Sequence, residues 1–296
     1  MSDPVTVVRR FNRSYTQRIG VLEDSFLGMG MPLGPARLLF EIGSGPAAGQ
    51  APLTTQTLRE RLGLDSGYLS RLLRRLERDG LVAVVPDPGD HRRRQVTLTE
   101  AGQRRWKELE RRSDDQARRI VEPLTPRQRE RLVRALAEAD LLVRAATVTF
   151  EPVDPAAPVA RDVVGRYFAE IGRRFGFDAS GEAEKDTKLL VPPAGVFVVA
   201  VSDGDPVACG GVQTIEPDTG ELKRMWVRDD WRGAGLGTRL LRHLEDQARA
   251  LGHGTVRLDT NAALAEAIGM YDRAGYQAID RYNDNPWATH FFEKRL

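Results

Sequence analysis

Three glycines, Gly233, Gly235 and Gly237, stand in the run WRGAGLGT at 231–238, directly ahead of a stretch whose leucines and alanine (Leu240, Leu241, Leu244, Ala248, Leu251) fall on one helical face. Glycines before a helix leave backbone N–H groups open to an anion, and the helix dipole favours that anion, so the chemistry suggested is phosphate binding. A G-x-x-x-x-G-K-[ST] loop is excluded because no lysine precedes Thr238. A dinucleotide fingerprint also fails: the spacing is not G-x-G-x-x-G, and the 37 residues after Asp259 cannot complete such a fold. The lone cysteine, Cys209, lies in an apolar stretch beside Gly210 and Gly211 and reads as a small buried residue rather than a nucleophile.

A second pattern carries a different chemistry. Leu69, Leu72, Leu73 and Leu76 make one apolar helical stripe, while Gly67, Arg71, Arg74 and Arg78 project from the opposite side. An arginine face of this kind is suited to nucleic-acid phosphates and base edges.

The elements that must position these groups follow from local signals. Thr54 is placed to cap a short helix carrying Leu58 and Leu62, Gly63-Leu64 makes a turn, and Asp65 caps the arginine-faced helix, which stops at Gly80. LVAVVPDPGDHRRRQVTLT then reads as a strand, a basic tip around His91–Arg94, and a strand. Helix, turn, helix and basic hairpin in this order predict a winged helix-turn-helix, its second helix entering the major groove. Past residue 146 the pattern changes. A strand in TVTFEP leads into a loop with Pro152, Pro155 and Pro158, after which strands alternate with helices: 196–201, 207–215, 222–227, the helix 238–251, and the strand 255–258.

Composition bounds the rest. A chain of 296 residues predicts two domains, here 1–146 and 147–296; at 41% hydrophobic and 29% charged, each can bury a core. Mean hydropathy is −0.40, and no apolar run approaches the roughly 18 residues of a membrane helix. The N-terminus lacks the apolar core of a secretion signal, so a cytoplasmic location is expected. One cysteine forbids an intrachain disulfide, and His91, His243, His253 and His290 show no ligand spacing, so no metal is expected. Residues 1–148 carry a net charge of +7 and residues 149–296 carry −5, which assigns any polyanion to the first half.

Residues 5–145 resemble the MarR family of winged-helix regulators, through Leu53-Thr54, LSRLLRRLERDGLV (69–82) and DPGDHRRRQVTLTEAG (87–102). The last is similar to the family's D-x-R-D-x-R wing signature, with Gly89 in place of the first arginine. The resemblance implies that Asp90 holds Arg92 at the wing tip in the minor groove, with Arg93 beside it. It also implies that Ser66, Ser70 and Arg71 reach base edges and that Arg74 and Arg75 meet phosphates. A homodimer built from terminal helices at about 3–27 and 100–145, bound to a palindromic operator on double-stranded DNA, is implied as well.

Residues 148–296 resemble the GNAT acyltransferases. The R-x-x-G-x-G loop is met by Arg232, Gly235 and Gly237, and the hairpin 197–215, LKRMWV (222–227), VRLDT (256–260) and MYDRAGY (270–276) follow the family order. The resemblance implies an α/β fold with a mixed central sheet, acetyl-CoA as acyl donor, and an amine acceptor. Met225, Trp226 and Val227 would offer backbone groups to the pantetheine arm. The amides of Arg232, Gly233, Ala234, Gly235, Leu236, Gly237 and Thr238 would cradle the pyrophosphate, with Asn261 as a further contact. Tyr271 matches the family tyrosine that protonates the departing thiolate, a role suited to a phenol. Glu221, at the head of the cofactor strand, is the candidate to take the amine proton through water. Phe175, Phe177 and Trp287 are candidates to line the acceptor pocket.

The whole reads as a regulator fused to an acetyl-CoA-dependent N-acetyltransferase. The alternative is a non-catalytic sensor in which an acyl-CoA or an amine controls operator binding.

Overall fold

The computed structural model describes residues 3–21, 23–45, 53–87, 90, 93–176 and 187–296. The chain forms two compact units, 1–134 and 135–296.

The first unit is mainly helical: α1 (Pro4–Arg18), α2 (Leu33–Ser44), α3 (Thr55–Leu62), α4 (Ser66–Arg78), the hairpin β1 (Val82–Pro86) and β2 (Arg94–Leu98), α5 (Glu100–Val121), and the start of α6 (Pro126–Thr147). The expected caps are formed. Thr54 Oγ1 accepts from the Thr57 amide at 3.1 Å, Asp65 accepts from the Tyr68 amide at 2.8 Å, and Gly63 ends α3 at φ 60°, a left-handed conformation that glycine adopts without cost. The leucines of α4 meet Leu38, Leu39, Leu58, Val96 and Leu109 in one core. The helices expected over 3–27 and 100–145 are shorter. The first ends at Arg18, and the second stretch is two helices parted at Glu122–Thr125. Pro123 and Pro126 supply no N–H to a continuing helix, and Pro126 instead opens α6.

The second unit contains β3 (Thr149–Pro152), α7 (Pro158–Phe175), β4 (Gly195–Ser202), β5 (Asp205–Glu216), β6 (Thr219–Val227), α8 (Leu236–Ala250), β7 (Thr255–Thr260), α9 (Ala265–Arg273), β8 (Gln277–Ala278) and β9 (His290–Arg295). They build one mixed sheet in the order β3-β4-β5-β6-β7-β9-β8, antiparallel except for β6 against β7. One sheet face packs Leu222, Val256, Leu258 and Phe292 under Leu240, Leu241 and Leu244 of α8. The other packs Phe197, Val199, Cys209 and Trp226 under Ala160, Val163 and Val164 of α7.

The line between the units falls inside α6, twelve residues ahead of the expected 146/147. The last turns of α6 explain the shift. Leu141, Ala145 and the following Val148 belong to the α8-side core, and Arg239 of α8 donates to the carbonyls of Ala145 and Val148.

Candidate active site and nucleic-acid interface

The active-site geometry begins where two neighbouring strands part. Parallel pairing of β6 with β7 covers only Thr219–Leu222 against Thr255–Leu258. Beyond that point β6 continues on β5 and β7 continues on β9, so a wedge opens at Lys223 and Asp259. A β-bulge causes the divergence: between the pairs Gly211–Lys223 and Cys209–Trp226, two residues of β6 face one of β5. Arg224 sits in this bulge at φ 53°. The bulge also swaps the strand's faces: Leu222 points to the α8 side, yet so does Met225, while Trp226 points to α7. The β7-facing edge of β6 from Lys223 to Val227, with Met225, Trp226 and Val227, thus makes no pair with β7.

At the mouth of the wedge lies the glycine run. Gly233 and Gly235 have φ of 86° and 76°, and a Cβ on either would meet nothing within 4 Å, so the loop's outer surface is open. The first hydrogen bond into α8 runs from the Arg239 amide to Gly235 O, and no side chain caps the helix. The amides of Leu236, Gly237 and Thr238 thus have no helical acceptor and lie at the positive end of the dipole. The Arg232 amide, expected in the cradle, already donates to Asp229 O at 3.2 Å. Its guanidinium is turned into the protein, 2.7 Å from both oxygens of Glu170.

Tyr271, on α9, is 7% exposed and packs between Tyr276 and Phe292, with its hydroxyl 3.8 Å from Met225 Sδ. Burial, then the negative charge of Asp259, pushes its phenol above the ordinary tyrosine range, so it stays a proton donor. Cys209 is fully buried, its Sγ 3.5 Å from Arg224 O, and burial pushes its thiol up to about 12, which leaves it no thiolate for nucleophilic work.

The α7 side of the wedge holds a polar cluster of which sequence reasoning found one member. Glu221 is 2% exposed. Its oxygens accept from Gln213 Nε2 (2.6 Å), Tyr282 Oη (2.7 Å), Asn283 Nδ2 (3.1 Å) and Lys223 Nζ (3.0 Å). Asp259 stands alongside; its Oδ2 accepts from Asn283 (2.6 Å) and Asn285 (3.2 Å) and lies 3.5 Å from Lys223 Nζ. Burial would lower the Lys223 ammonium, but the charges of Glu221 and Asp259 outweigh it and raise it. The period of two along β6 was the available signal, since it places Lys223 on the same face as Glu221.

Asn261 turns to structural work: its Nδ2 donates to Trp287 O (2.6 Å) and its Oδ1 accepts from the Ala263 amide (2.9 Å). Trp287 is 42% exposed and Phe175 is half-buried, while Phe177 lies outside the described residues.

On the first unit, Ser66, Arg71 and Arg74 are exposed along α4, and Ser70 and Arg75 are half-buried. Arg71 lies over the Tyr68 ring at 5.7 Å, and Arg75 is 4.0 Å from Asp79. At the hairpin tip Arg93 Nε lies 3.4 Å from Asp90. Arg92, and with it the expected Asp90–Arg92 pairing, falls outside the described residues.

Comparison with known proteins agrees with both halves. The acetyltransferase (GNAT) family matches residues 165–276, and the MarR family matches residues 29–93. The chain is 34% identical over 144 residues to the IAA acetyltransferase of Azospirillum brasilense, covering 46% of this chain and 92% of that protein. The chain belongs to the GNAT acetyltransferase family. The chain is 28% identical over 145 residues to the uncharacterized N-acetyltransferase YjgM of Escherichia coli, 43% of this chain and 87% of that protein. The chain is also 54% identical over 41 residues to the transcriptional activatory protein BadR of Rhodopseudomonas palustris, 14% of this chain and 23% of that protein. The GNAT half is thus an acetyltransferase with acetyl-CoA as donor. Its open amides at 236–238 and the unpaired edge of β6 fit a diphosphate joined to an extended arm.

Among the described residues no helix is long and apolar enough to cross a membrane.

Proposed function

We propose that this GNAT protein acetylates an amine at the β6–β7 wedge and binds operator DNA through its MarR half, as a bifunctional regulator and enzyme. The observation that carries the catalytic part is the Tyr271 hydroxyl beside Met225, facing a strand edge left open next to the glycine cradle. A sensor without catalysis needs the cradle but no proton donor at the wedge.

In the proposed reaction the amine nitrogen attacks the thioester carbonyl. The N–C bond forms, the C–S bond breaks, and no enzyme nucleophile takes part. Met225–Val227 hold the donor's arm, and the amides of 233–238 hold its diphosphate. Tyr271 gives a proton to the departing sulfur, and a carboxylate of the Glu221–Asp259 pair takes one from the nitrogen. Both then exchange with solvent, so free amine and acetyl-CoA yield amide and free thiol with no net proton. Glu221 already accepts four hydrogen bonds, which makes it the anchor of Lys223 and Tyr282, and the proton goes to Asp259 beside it. Asp259→Asn is therefore expected to lower turnover about 100-fold and Glu221→Gln about tenfold. Steady-state kinetics on an amine panel checks this, and the reverse order would return the base role to Glu221.

On DNA, Ser66, Ser70 and Arg71 reach base edges, Arg74 and Arg75 meet phosphates, and Arg92 and Arg93 enter with the wing. Two copies of the chain would place two such faces on a palindrome. Support for a homodimer comes from Val8, Phe11 and Tyr15, exposed on one side of α1, and from Val133 and Leu136, exposed on α6. Arg71→Ala should cost about 1–3 kcal/mol on the cognate site and relax sequence preference. Arg74→Ala with Arg75→Ala should weaken all sequences alike and flatten the salt dependence by about two units. Anisotropy titrations at several salt concentrations separate the two patterns. The same titration with and without acetyl-CoA tests coupling of the two activities; a tenfold shift corresponds to about 1.4 kcal/mol.

A further inference from the structure

The glycine cradle is anchored at both ends by apolar packing, with Trp231, Ala234 and Leu236 in or against the α8-side core, while the Cβ positions of Gly233 and Gly235 face open space. A polar fastening of its start comes from α7. Glu170, 7% exposed, accepts Trp226 Nε1 at 2.7 Å and Arg232 Nη2 at 2.7 Å on each oxygen, with Arg174 Nη2 at 2.9 Å. Arg232 completes the tie, its Nε 3.1 Å from Val227 O and its Nη1 2.5 Å from Asp229 Oδ1. Arg174 Nη1 also lies 3.9 Å from Glu266, in the first turn of α9, the helix that carries Tyr271.

One buried carboxylate thus touches both parts that must grip the acyl donor. Through the Trp226 indole it holds the open edge of β6, and through the Arg232 guanidinium it holds the start of the amide cradle. Burial alone would raise the Glu170 carboxyl, but the hydrogen bonds from Arg232 and Trp226 outweigh it and keep it below the usual range, hence ionised. An ionised group is needed, because a neutral amide offers one acceptor oxygen where three side chains now donate to two.

We infer that Glu170 is a positioning residue that sets the spacing between the β6 edge and the 233–238 cradle, and so determines affinity for acetyl-CoA. The inference rests on the reading that these two segments bind that donor. It also assigns the arginine of the R-x-x-G-x-G run to the Glu170 tie rather than to the phosphates.

Titration calorimetry with acetyl-CoA on the full chain tests it, comparing wild type with Glu170→Gln, Glu170→Asp and Glu245→Gln. Glu245 is an equally buried carboxylate paired with Lys294 at 2.9 Å, in the third turn of α8 rather than at the cradle. Glu170→Gln is expected to weaken acetyl-CoA binding about tenfold or more, about 1.4 kcal/mol, with Glu170→Asp recovering part of the loss. Glu245→Gln should lower the melting temperature and leave acetyl-CoA affinity within twofold. If wild type binds acetyl-CoA and both Glu170 variants bind as tightly, the positioning role is overturned and the binding reading stands. If Glu245→Gln loses as much affinity as Glu170→Gln, the effect is general destabilisation, and the inference also fails. If wild type itself shows no binding, the reading of the site falls and takes the inference with it.

Discussion

Tyr271→Phe is expected to lower turnover about 100-fold while acetyl-CoA affinity stays within a factor of two. The ring remains, so packing against Tyr276 and Phe292 is kept. The lost oxygen makes only a weak contact, 3.8 Å to Met225 Sδ, so its removal leaves no strong donor or acceptor unpaired. What disappears is the proton for the departing thiolate, a cost confined to the transition state. The pH dependence has a definite sign. Burial, followed by the charge of Asp259, raises the phenol above its usual value near 10, so the alkaline loss of turnover from Tyr271 should not begin there. Stopped or coupled assays of thiol release between pH 6 and 10.5 measure both features. A wild-type limb centred near 10 that vanishes in the variant would mean a solvated tyrosine, contrary to this geometry. Unchanged turnover in the variant would remove Tyr271 from the mechanism.

The largest expected effect on stability comes from Gly102→Ala, in the first turn of α5. A Cβ there would lie 1.8 Å from the carbonyl oxygen of Leu81, and that carbonyl has nowhere to go. It accepts the Thr99 amide at 3.1 Å, the Leu81 amide donates to Leu76 O at 2.8 Å, and Thr99 Oγ1 donates to Gly80 O at 2.6 Å while capping the Gly102 amide at 3.0 Å. The crossing joins the end of α4 to the base of the wing, so yielding means breaking that join. A loss of about 3 kcal/mol or more is expected, with operator binding lost as well. Thermal melts and anisotropy report both; a variant that melts with wild type would show that the two backbones are not in contact.

Several features are legible in the amino-acid sequence because their signals are local. Thr54, Asp65 and Gly63 declare the ends of α3 and α4, the leucine stripe declares the buried face, and the glycine run declares the start of α8. The polar cluster on the α7 side of the wedge is not legible in the same way. Gln213, Glu221, Lys223, Asp259, Tyr282 and Asn283 come from three strands and one loop spread over 71 residues, and only the sheet order makes them neighbours. The bulge that opens the wedge is hidden for another reason. Arg224 holds a positive φ without being glycine, so nothing in its identity announces the turn in the strand. Glu170 escapes notice because its meaning lies in its partners, 56 and 62 residues away.

The placement of the unit boundary within α6 bears on how this protein can be divided. The proline-rich stretch after residue 151 resembles a tether, the natural place for a protease site or a cloning junction. Yet β3, which pairs with β4, runs up to Pro152, and Val153 donates to Phe197 O at 2.9 Å, so the tether is already stitched into the enzyme's sheet. A fragment begun at residue 147 would leave behind Leu141 and Ala145, and with them a patch of its own apolar interior. A fragment that keeps the second unit's core whole should therefore begin near Ala135, partway along α6. The division falls within α6, whose residues through Arg134 go with the first unit and those from Ala135 with the second.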